Sequence, residues 1–217
     1  FRPDALPIVV LISDAPWHND GTGEYAYDCS SIMFNDALNA LLEINARHVG
    51  VFVGSEGSEG HDSMIQMSES TGSVDASGTA LVEASSSGGV STGIVSMIEI
   101  LATATPQDVN AVPRDYPDDP PGAEYDATVF VKDITPVSGF PGIPEGYSAQ
   151  DEDYFYDVVP GTQVTFDIDF YNNTVEPVDS ALVFKAWIAV LGNDVALLDQ
   201  RLVIIIVPTE GMGEVII

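Results

Sequence analysis

The sequence has very few basic side chains. Six lysines and arginines stand against 34 aspartates and glutamates, which gives a formal net charge of -28 at pH 7. Nucleic acid phosphates and anionic membrane surfaces are bound through clusters of lysine and arginine, and six such residues in 217 are too few to build one. The composition therefore excludes nucleic acid as a partner. It leaves divalent cations, basic protein surfaces, or simple solvation in a salty medium.

Cysteine and long apolar runs are scarce as well. Cys29 is the single cysteine, so no internal disulfide can form, and the cysteine count favours neither an oxidising nor a reducing compartment. The longest apolar runs, residues 7–12 and 202–208, are far shorter than the ~20 residues of a membrane-spanning helix. The sequence therefore predicts no insertion into a membrane.

Zinc-ligand spacings are missing, and no complete set of catalytic residues is evident. The three histidines, His18, His48 and His61, lie far apart, and no Cys-x-x-Cys or His-x-x-x-His spacing exists. Zinc normally takes four nitrogen or sulfur ligands, so no zinc site is expected. Nucleophilic catalysis needs a base and an orienting group beside the nucleophile, and the sequence suggests no such set. We therefore expect a protein that is not an enzyme.

Residues 1–105 alternate short apolar strands with helical patterns. The continuous apolar run at 7–12 and the segment 48–53 are typical of parallel strands buried on both faces, and residues 73–74 with 80–82 indicate a short third strand or a hairpin. This β-α order predicts a partial doubly wound parallel sheet of the Rossmann-like kind. The apolar residues at helical spacing are Ala37, Leu38, Leu41, Leu42 and Ile44, then Met64, Ile65 and Met67, then Ile94, Val95, Ile98 and Leu101.

The rest of the chain predicts an all-β domain. Residues 106–123 are rich in proline and are expected to form an extended linker or an edge strand. Residues 124–217 show period-two alternation and turn signals, with strands predicted at 128–131, 163–170, 181–190 and 197–207. We expect this region to form an antiparallel, Ig-like β-sandwich, with a long polar loop over residues 136–159 between its first two strands.

Residues 8–16, Ile-Val-Val-Leu-Ile-Ser-Asp-Ala-Pro, resemble the fourth strand of von Willebrand factor A-type domains, in which a hydrophobic strand ends in Thr/Ser-Asp-Gly/Ala. The continuation over residues 17–21 is most similar to the integrin β-subunit version. Residues 47–54, 64–74 and 91–102 resemble the fifth strand, the next helix with its turn, and the last helix of the family. The second region is similar to sandwich modules that follow such domains in large bacterial surface proteins. The resemblance covers about half of the chain well.

The resemblance implies a metal-ion-dependent adhesion site in which Asp14 supplies the carboxylate at the end of the fourth strand. Ca²⁺ or Mg²⁺ is the expected ion, and Asp20 is a further candidate ligand close in sequence. Ligands of doubly wound sheets bind at the carboxyl ends of strands, so Trp17 and His18 are candidate interaction residues. The family's Asp-x-Ser-x-Ser motif belongs to the N-terminal half of the domain, which has no counterpart in this sequence.

A second acidic cluster lies in the predicted loop over residues 136–159. Asp151, Glu152, Asp153 and Asp157 supply oxygen ligands of the kind that Ca²⁺ prefers. They lack the spacing of a helix-loop-helix calcium site, and a solvated loop is the alternative interpretation.

Half of a doubly wound sheet leaves the flank of the strand at 7–12 open, and an open apolar edge is a pairing site. The expected partners are the missing N-terminal half of the A-type domain, another copy of the chain, or a protein ligand. The sequence thus predicts an extracellular or cell-surface adhesion or structural protein, as a filament or assembly subunit that acts by protein–protein interaction. The alternative is a divalent-metal- or solute-binding module of a secreted assembly.

Overall fold

The computed structural model describes residues 2–17, 32–86, 88–117 and 126–211. By its internal contacts the chain divides into two units, Phe1–Pro106 and Gln107–Ile217. In order along the chain the elements are β1 (Ile8–Ser13), α1 (Phe34–Glu43), β2 (Arg47–Phe52), α2 (Glu59–Ser70), β3 (Val82–Ala84), α3 (Val90–Thr103), β4 (Gln107–Asp115), a 3₁₀ helix (Ala127–Phe130), β5 (Val131–Phe140), β6 (Ala149–Gln150), β7 (Tyr154–Val158), β8 (Gln163–Phe170), β9 (Leu182–Gly192) and β10 (Ala196–Val207).

The first unit contains a parallel three-stranded sheet in the order β1-β2-β3. β1 pairs with β2 over its full length, from Ile8 opposite Arg47 to Ser13 opposite Phe52, and β3 pairs with the second half of β2. Parallel neighbours need a crossover connection, and α1 and α2 provide the helix in each. The parallel pairing predicted for these two strands is therefore confirmed. The expected burial on both faces holds for β2 but not for β1, which lies at the edge of the sheet and has no fully buried residue.

Helices cover both faces of β2. On one face α2 packs closely against Gly50, where an added Cβ would lie 3.0 Å from Met64. On the other face Val49 shares a core with Leu81 and with Leu101 of α3. Successive residues of a strand point to opposite faces, so Gly50 and Val49 are covered from opposite sides. This two-sided burial explains why residues 49–52 of β2 are apolar and buried without a break.

The second unit contains antiparallel sheets. A five-stranded sheet has the order β10-β9-β4-β7-β6, and β5 pairs with β8 in a separate two-stranded sheet. Val164 and Phe166 of β8 pack in one core with Val109 of β4 and Phe155 of β7. The strand predicted at 163–170 matches β8 residue for residue, because its alternate apolar side chains are the ones that face this core.

Two segments of the second unit differ from the sequence expectation. Residues 107–115, which the proline content placed in a linker or an edge strand, form β4 in the interior of the five-stranded sheet. Pro113 is accommodated because β4 pairs with β9 alone beyond Asn110, so one side of the strand has no partner there. Residues 136–159 are not one loop, since they hold the end of β5 together with β6 and β7. The remainder of the predicted linker, from residue 118, lies outside the described residues.

A third segment, predicted as a strand over residues 128–131, lies mostly in the 3₁₀ helix. The Thr128 N–H donates to the Asp126 carboxylate at 2.9 Å. This cap at the start of the turn stabilises a helical geometry, and the strand begins only at Val131.

The described chain is therefore mixed α/β, with a parallel three-stranded sheet and helices in the first unit and antiparallel sheets in the second. None of the described helices combines the length and the apolar composition that crossing a bilayer demands.

Candidate functional site

β1 is an edge strand whose only hydrogen-bonded neighbour among the described strands is β2. The Arg47 N–H donates to the Pro7 carbonyl, and the Val53 N–H donates to the Ser13 carbonyl. Alternate residues of a strand in a parallel pair direct their backbone groups to the same side. These two bonds therefore fix the pattern, in which the odd-numbered residues of β1 bond to β2.

The even-numbered residues Ile8, Val10 and Ile12 direct their N–H and C=O groups to the other side of β1, where no described strand pairs with them. Backbone groups of this kind are strong hydrogen-bonding groups that pair with another strand or with water. The edge is also apolar, since the side chain of Ile12 is 48% exposed. β1 therefore presents a template for strand pairing.

α1 adds further exposed apolar surface in the same unit. It contains no buried residue, and Leu42 within it and Ile44 just after it are exposed. A surface helix of a globular domain normally buries one apolar stripe. The surface of the first unit is therefore incompletely covered at α1 as well as at β1.

Asp14 directly follows β1, at the carboxyl end of the parallel sheet. The Ser13 hydroxyl donates to the Ala15 carbonyl at 2.9 Å and accepts from the Ala15 N–H at 3.1 Å. Asp14 lies in this tight turn and is exposed. A carboxylate at the end of a strand can contact a ligand only if it is exposed. His18 and Asp20, the other candidates of this segment, lie outside the described residues.

Trp17 joins an aromatic cluster shortly after the end of β1. Its ring stacks on Phe34, the first residue of α1, with centroids 5.6 Å apart, and meets the ring of His48 on β2 edge-on at 6.0 Å. Two buried polar atoms of this cluster, Trp17 Nε1 and His48 Nε2, have no hydrogen-bond partner among the described residues. The candidate interaction residue Trp17 therefore contributes an unpaired nitrogen to a cluster that also holds the unpaired Nε2 of His48.

His48 is held as a neutral imidazole. Its side chain is 2% exposed, and Nδ1 lies 2.9 Å from the Ser68 hydroxyl, which itself donates to the His48 carbonyl at 3.1 Å. Because the hydroxyl proton goes to the carbonyl, Nδ1 carries the ring proton and Nε2 is an acceptor. Burial disfavours the charged form and lowers the pKa of His48 from 6.5 to about 4.

Asp151 is engaged in a turn of the second unit. One carboxylate oxygen accepts the N–H groups of Asp153 and Tyr154 at 2.9 and 2.8 Å, and the other accepts the Tyr156 hydroxyl at 2.5 Å. The bond from Tyr156 is the main cause of a lowered pKa of Asp151. The same bond raises the pKa of Tyr156 to about 12.

The other members of this acidic cluster do not join Asp151 around one point. Glu152 and Asp153 are exposed on the same turn, whereas the Asp157 carboxylate accepts the Ser148 hydroxyl at 2.7 Å. In the described part of the chain, no group of three or more histidine, cysteine or acidic side chains is arranged to hold a metal ion. A bound Ca²⁺ or Mg²⁺ stays a prediction at both acidic segments.

The sequence reasoning passed over two motifs. Residues 75–79 read Asp-x-Ser-x-Thr, and Asp75 Oδ1 accepts from the Ser77 hydroxyl at 2.6 Å and from the Thr79 N–H at 2.9 Å. These bonds close a turn between Val74 and Ala80, which form an isolated bridge. The pattern of one acid followed by two hydroxyl residues would have predicted this turn.

The second motif is Gly-x-Ser-x-Gly over residues 89–93, a pattern of hydrolase nucleophiles. In such enzymes the serine sits on a sharp, strained turn between a strand and a helix. Here Ser91 is exposed in the first turn of α3, and β3 ends seven residues earlier at Ala84. Ser91 is absent from the non-glycine residues with positive φ among those described. The motif therefore lacks the backbone geometry of a nucleophile elbow.

No model of a known protein family matches this chain, and the search of curated proteins found no match.

Proposed function

We propose that this chain is an extracellular or cell-surface adhesion or structural protein, without enzymatic activity, that acts by protein–protein interaction as a subunit of a filament or other assembly. In this proposal the first unit is the C-terminal half of a von Willebrand factor A-type domain, and the second unit is a β-sandwich. The partner at the first unit is a strand that completes the sheet, supplied by the N-terminal half of the domain or by another copy of the chain.

The strand order supports the half-domain interpretation. A doubly wound sheet has the order 3-2-1-4-5-6, so its second half is three parallel strands in sequential order. The order β1-β2-β3 has this form, and β2 is covered by α2 on one face and α3 on the other. In such a sheet the first of the three strands pairs with the first strand of the other half, and this is the side on which β1 has no described partner.

The observation that carries the proposal is the edge of β1 that has no partner among the described strands. Six consecutive residues, mostly apolar, expose alternate backbone groups and the side chain of Ile12. Natural proteins normally protect such an edge with charges, prolines, bulges or a covering element. None of these features lies within β1, so the edge is suited to pairing with another strand.

The test uses two proline substitutions that differ by one residue. Proline removes a backbone N–H. Val10→Pro removes an N–H that points to the free side, so pairing with β2 should remain. Leu11→Pro removes an N–H that bonds to β2, so it should destabilise the first unit. The probe is a dye-labelled peptide that copies residues 6–14, with lysines added at both ends for solubility and with a scrambled peptide as the control for charge.

We expect the wild-type chain to bind the copied peptide and not the scrambled one, as measured by fluorescence anisotropy. Val10→Pro should weaken binding by about tenfold or more while leaving the thermal unfolding of the chain nearly unchanged. Equal binding by wild type and Val10→Pro, or equal binding of both peptides, would refute pairing at this edge.

A metal-binding module is the second candidate, because Asp14 is an exposed carboxylate at a strand end. A ligand that binds the folded state raises the unfolding temperature by mass action. Under this alternative, Ca²⁺ or Mg²⁺ raises the melting temperature of the wild type and has no effect on Asp14→Asn. An unchanged melting temperature in both ions would count against the alternative and leave the strand-pairing proposal intact.

A further inference from the structure

The side of the five-stranded sheet that faces away from the core of the second unit carries large apolar and basic side chains. Along β9, Phe184, Ala186 and Ile188 are buried, and the alternating residues Val183, Lys185 and Trp187 point to the opposite side. We call this side the basic face. Its members are Val183, Lys185 and Trp187 of β9, the residues paired with them on β10, namely Leu202, Ile204 and Ile206, and Arg114 and Tyr116 at the end of β4.

Contacts on the basic face place a cation within an aromatic and aliphatic surface. Lys185 Nζ lies 4.9 Å from the ring centroid of Tyr116, and the Tyr116 ring lies 5.6 Å from that of Trp187. Val183, Leu202 and Ile204 around them are between 43% and 49% exposed. Large exposed apolar patches that are bordered by polar groups mark sites of protein–protein interaction. Two of the six basic residues of the chain, Arg114 and Lys185, lie on this face.

The two-stranded sheet has an outer side of the opposite charge. Val164 and Phe166 of β8 face the core, so the alternating residues Thr165, Asp167 and Asp169 face outward. We call this side the acidic face. It also includes Asp133 and Phe140 of β5, which lie opposite Asp169 and Gln163, and Tyr171, which follows β8.

Charge is poorly balanced within the acidic face. Asp133 lies directly opposite Asp169 across the strand pair, an arrangement that is destabilising for like charges. Lys132 contacts Asp169 at 2.7 Å and is the one lysine near three carboxylates in the described part of this sheet. Tyr171 and Phe140 add aromatic surface that is 58% and 78% exposed. The acidic face therefore offers uncompensated carboxylates together with exposed rings, which is the complement of the basic face.

We infer that the basic face of one copy of this chain binds the acidic face of the next copy. This inference rests on the proposed function, since it names the partner of an assembly subunit, but it uses the second unit and not β1. The two faces lie on different sheets, so the contact is heterologous. A heterologous contact that does not close into a ring produces an open chain of subunits. Tryptophan, tyrosine and arginine, all present on the basic face, are the residue types that dominate the affinity of protein interfaces.

The test combines two double variants, each of which disables one face. Lys185→Glu with Ile204→Thr disables the basic face, and Asp167→Lys with Tyr171→Thr disables the acidic face. The controls make the same charge changes away from both faces. Arg201→Glu lies on β10 opposite Ile188, on the core side of the sheet, and Glu176→Lys lies in an exposed segment before β9.

Sedimentation velocity of the full chain is run in about 0.15 M salt, where the Debye length of about 8 Å screens the net repulsion between copies but not close contacts. We expect the wild type and both controls to form a concentration-dependent series of oligomers. Each double variant, made in the Val10→Pro background so that copies cannot associate through β1, should alone be a monomer, with association weakened by about tenfold or more. An equimolar mixture of the two variants retains one intact contact and should stop at a 1:1 dimer.

The inference is overturned by a wild type that stays monomeric at about 100 μM, by a mixture that does not restore the dimer, or by a control that loses association as the double variants do. Oligomers that persist in the acidic-face variant alone would show that the basic face pairs with itself, which also contradicts it. Thermal unfolding of every variant checks the fold, and the single change Lys185→Glu or Asp167→Lys replaces the double variant of the same face if that variant unfolds early. Val10→Pro should keep these oligomers, so failure of the β1 proposal and failure of this inference are distinguishable.

Discussion

Acidification should destabilise the first unit through His48. The imidazole is buried and neutral, and its pKa falls from 6.5 to about 4 on folding. Between these two values the unfolded chain binds a proton that the folded chain does not. The free energy of unfolding therefore falls as the pH decreases through this window, by about 1.4 kcal/mol for each pH unit. Above pH 6.5 the residue is neutral in both states and contributes no pH dependence.

The free energy of unfolding should fall by about 2 kcal/mol between pH 7 and pH 5 and by about 3 kcal/mol between pH 7 and pH 4. His48 is 2% exposed, so solvent screening reduces this figure little. A loss of 2 kcal/mol is a large part of the stability of a small domain.

The measurement is urea unfolding at pH 7 and pH 5. The free energy of unfolding depends linearly on the urea concentration and is extrapolated to water at each pH. The chain has two tryptophans, Trp17 and Trp187, one in each unit. The background Trp187→Phe leaves Trp17 as the single reporter, and its ring contacts His48 directly. Fluorescence in this background follows the first unit alone.

His48→Asn is the matched variant, because the asparagine amide can still donate to Ser68. It should lower the stability at pH 7 but remove the difference of about 2 kcal/mol between pH 7 and pH 5. A wild type whose stability does not fall between these two pH values, or a variant that keeps the same pH dependence, would refute the assignment of a buried neutral His48.

Three further predictions concern packing, ionisation and backbone geometry. Phe155→Ala should lower the free energy of unfolding of the second unit by about 3–5 kcal/mol in urea titrations, because the Phe155 ring is fully buried between Tyr147 and Phe166. The control Phe140→Ala lies on the surface and should change this free energy by less than about 0.5 kcal/mol. Ultraviolet absorbance of tyrosinate should show that Tyr156 ionises at a pKa of about 12 and that Asp151→Asn lowers this pKa. A pKa of Tyr156 that is the same in Asp151→Asn as in the wild type would contradict the hydrogen bond between the two residues. Gly72→Ala should cost more stability than Gly57→Ala: both glycines have positive φ, at 65° and 72°, but only Gly72 has a neighbour, Arg47, where a Cβ would lie. The backbone cost alone is about 1–2 kcal/mol, and equal losses in thermal melts would show that Arg47 moves aside freely.

Strands with a strong side-chain pattern could be predicted from the sequence, and strands defined by their partners could not. Gln163–Phe170 was predictable because every second side chain faces one core. β4 was not, since Pro113 looks incompatible with an interior strand until the partial pairing of β4 with β7 is known. β7 was hidden for a related reason, because it is five residues long and one of its two partners, β4, is distant in the chain.

The free edge of β1 followed from a resemblance and an apolar run, whereas the sites around it needed the structure. Trp17 and His48 are 31 residues apart in sequence, and only the parallel pairing of β1 and β2 brings their rings together. The basic face joins β4 to β9 and β10, and more than 60 residues separate β4 from β9 in the chain. Period-two alternation predicts that each strand has two faces, but it does not predict which strands lie side by side.

The central claim is that β1 pairs with a further strand through Ile8, Val10 and Ile12. Amide hydrogen exchange measures this most directly, because it reports each N–H separately. In the chain alone, the amides of these three residues should exchange much faster than those of Val9 and Leu11, which bond to β2, and the peptide that copies residues 6–14 should slow all three. Equal protection of odd and even residues in the chain alone, or no slowing on addition of the peptide, would contradict the claim.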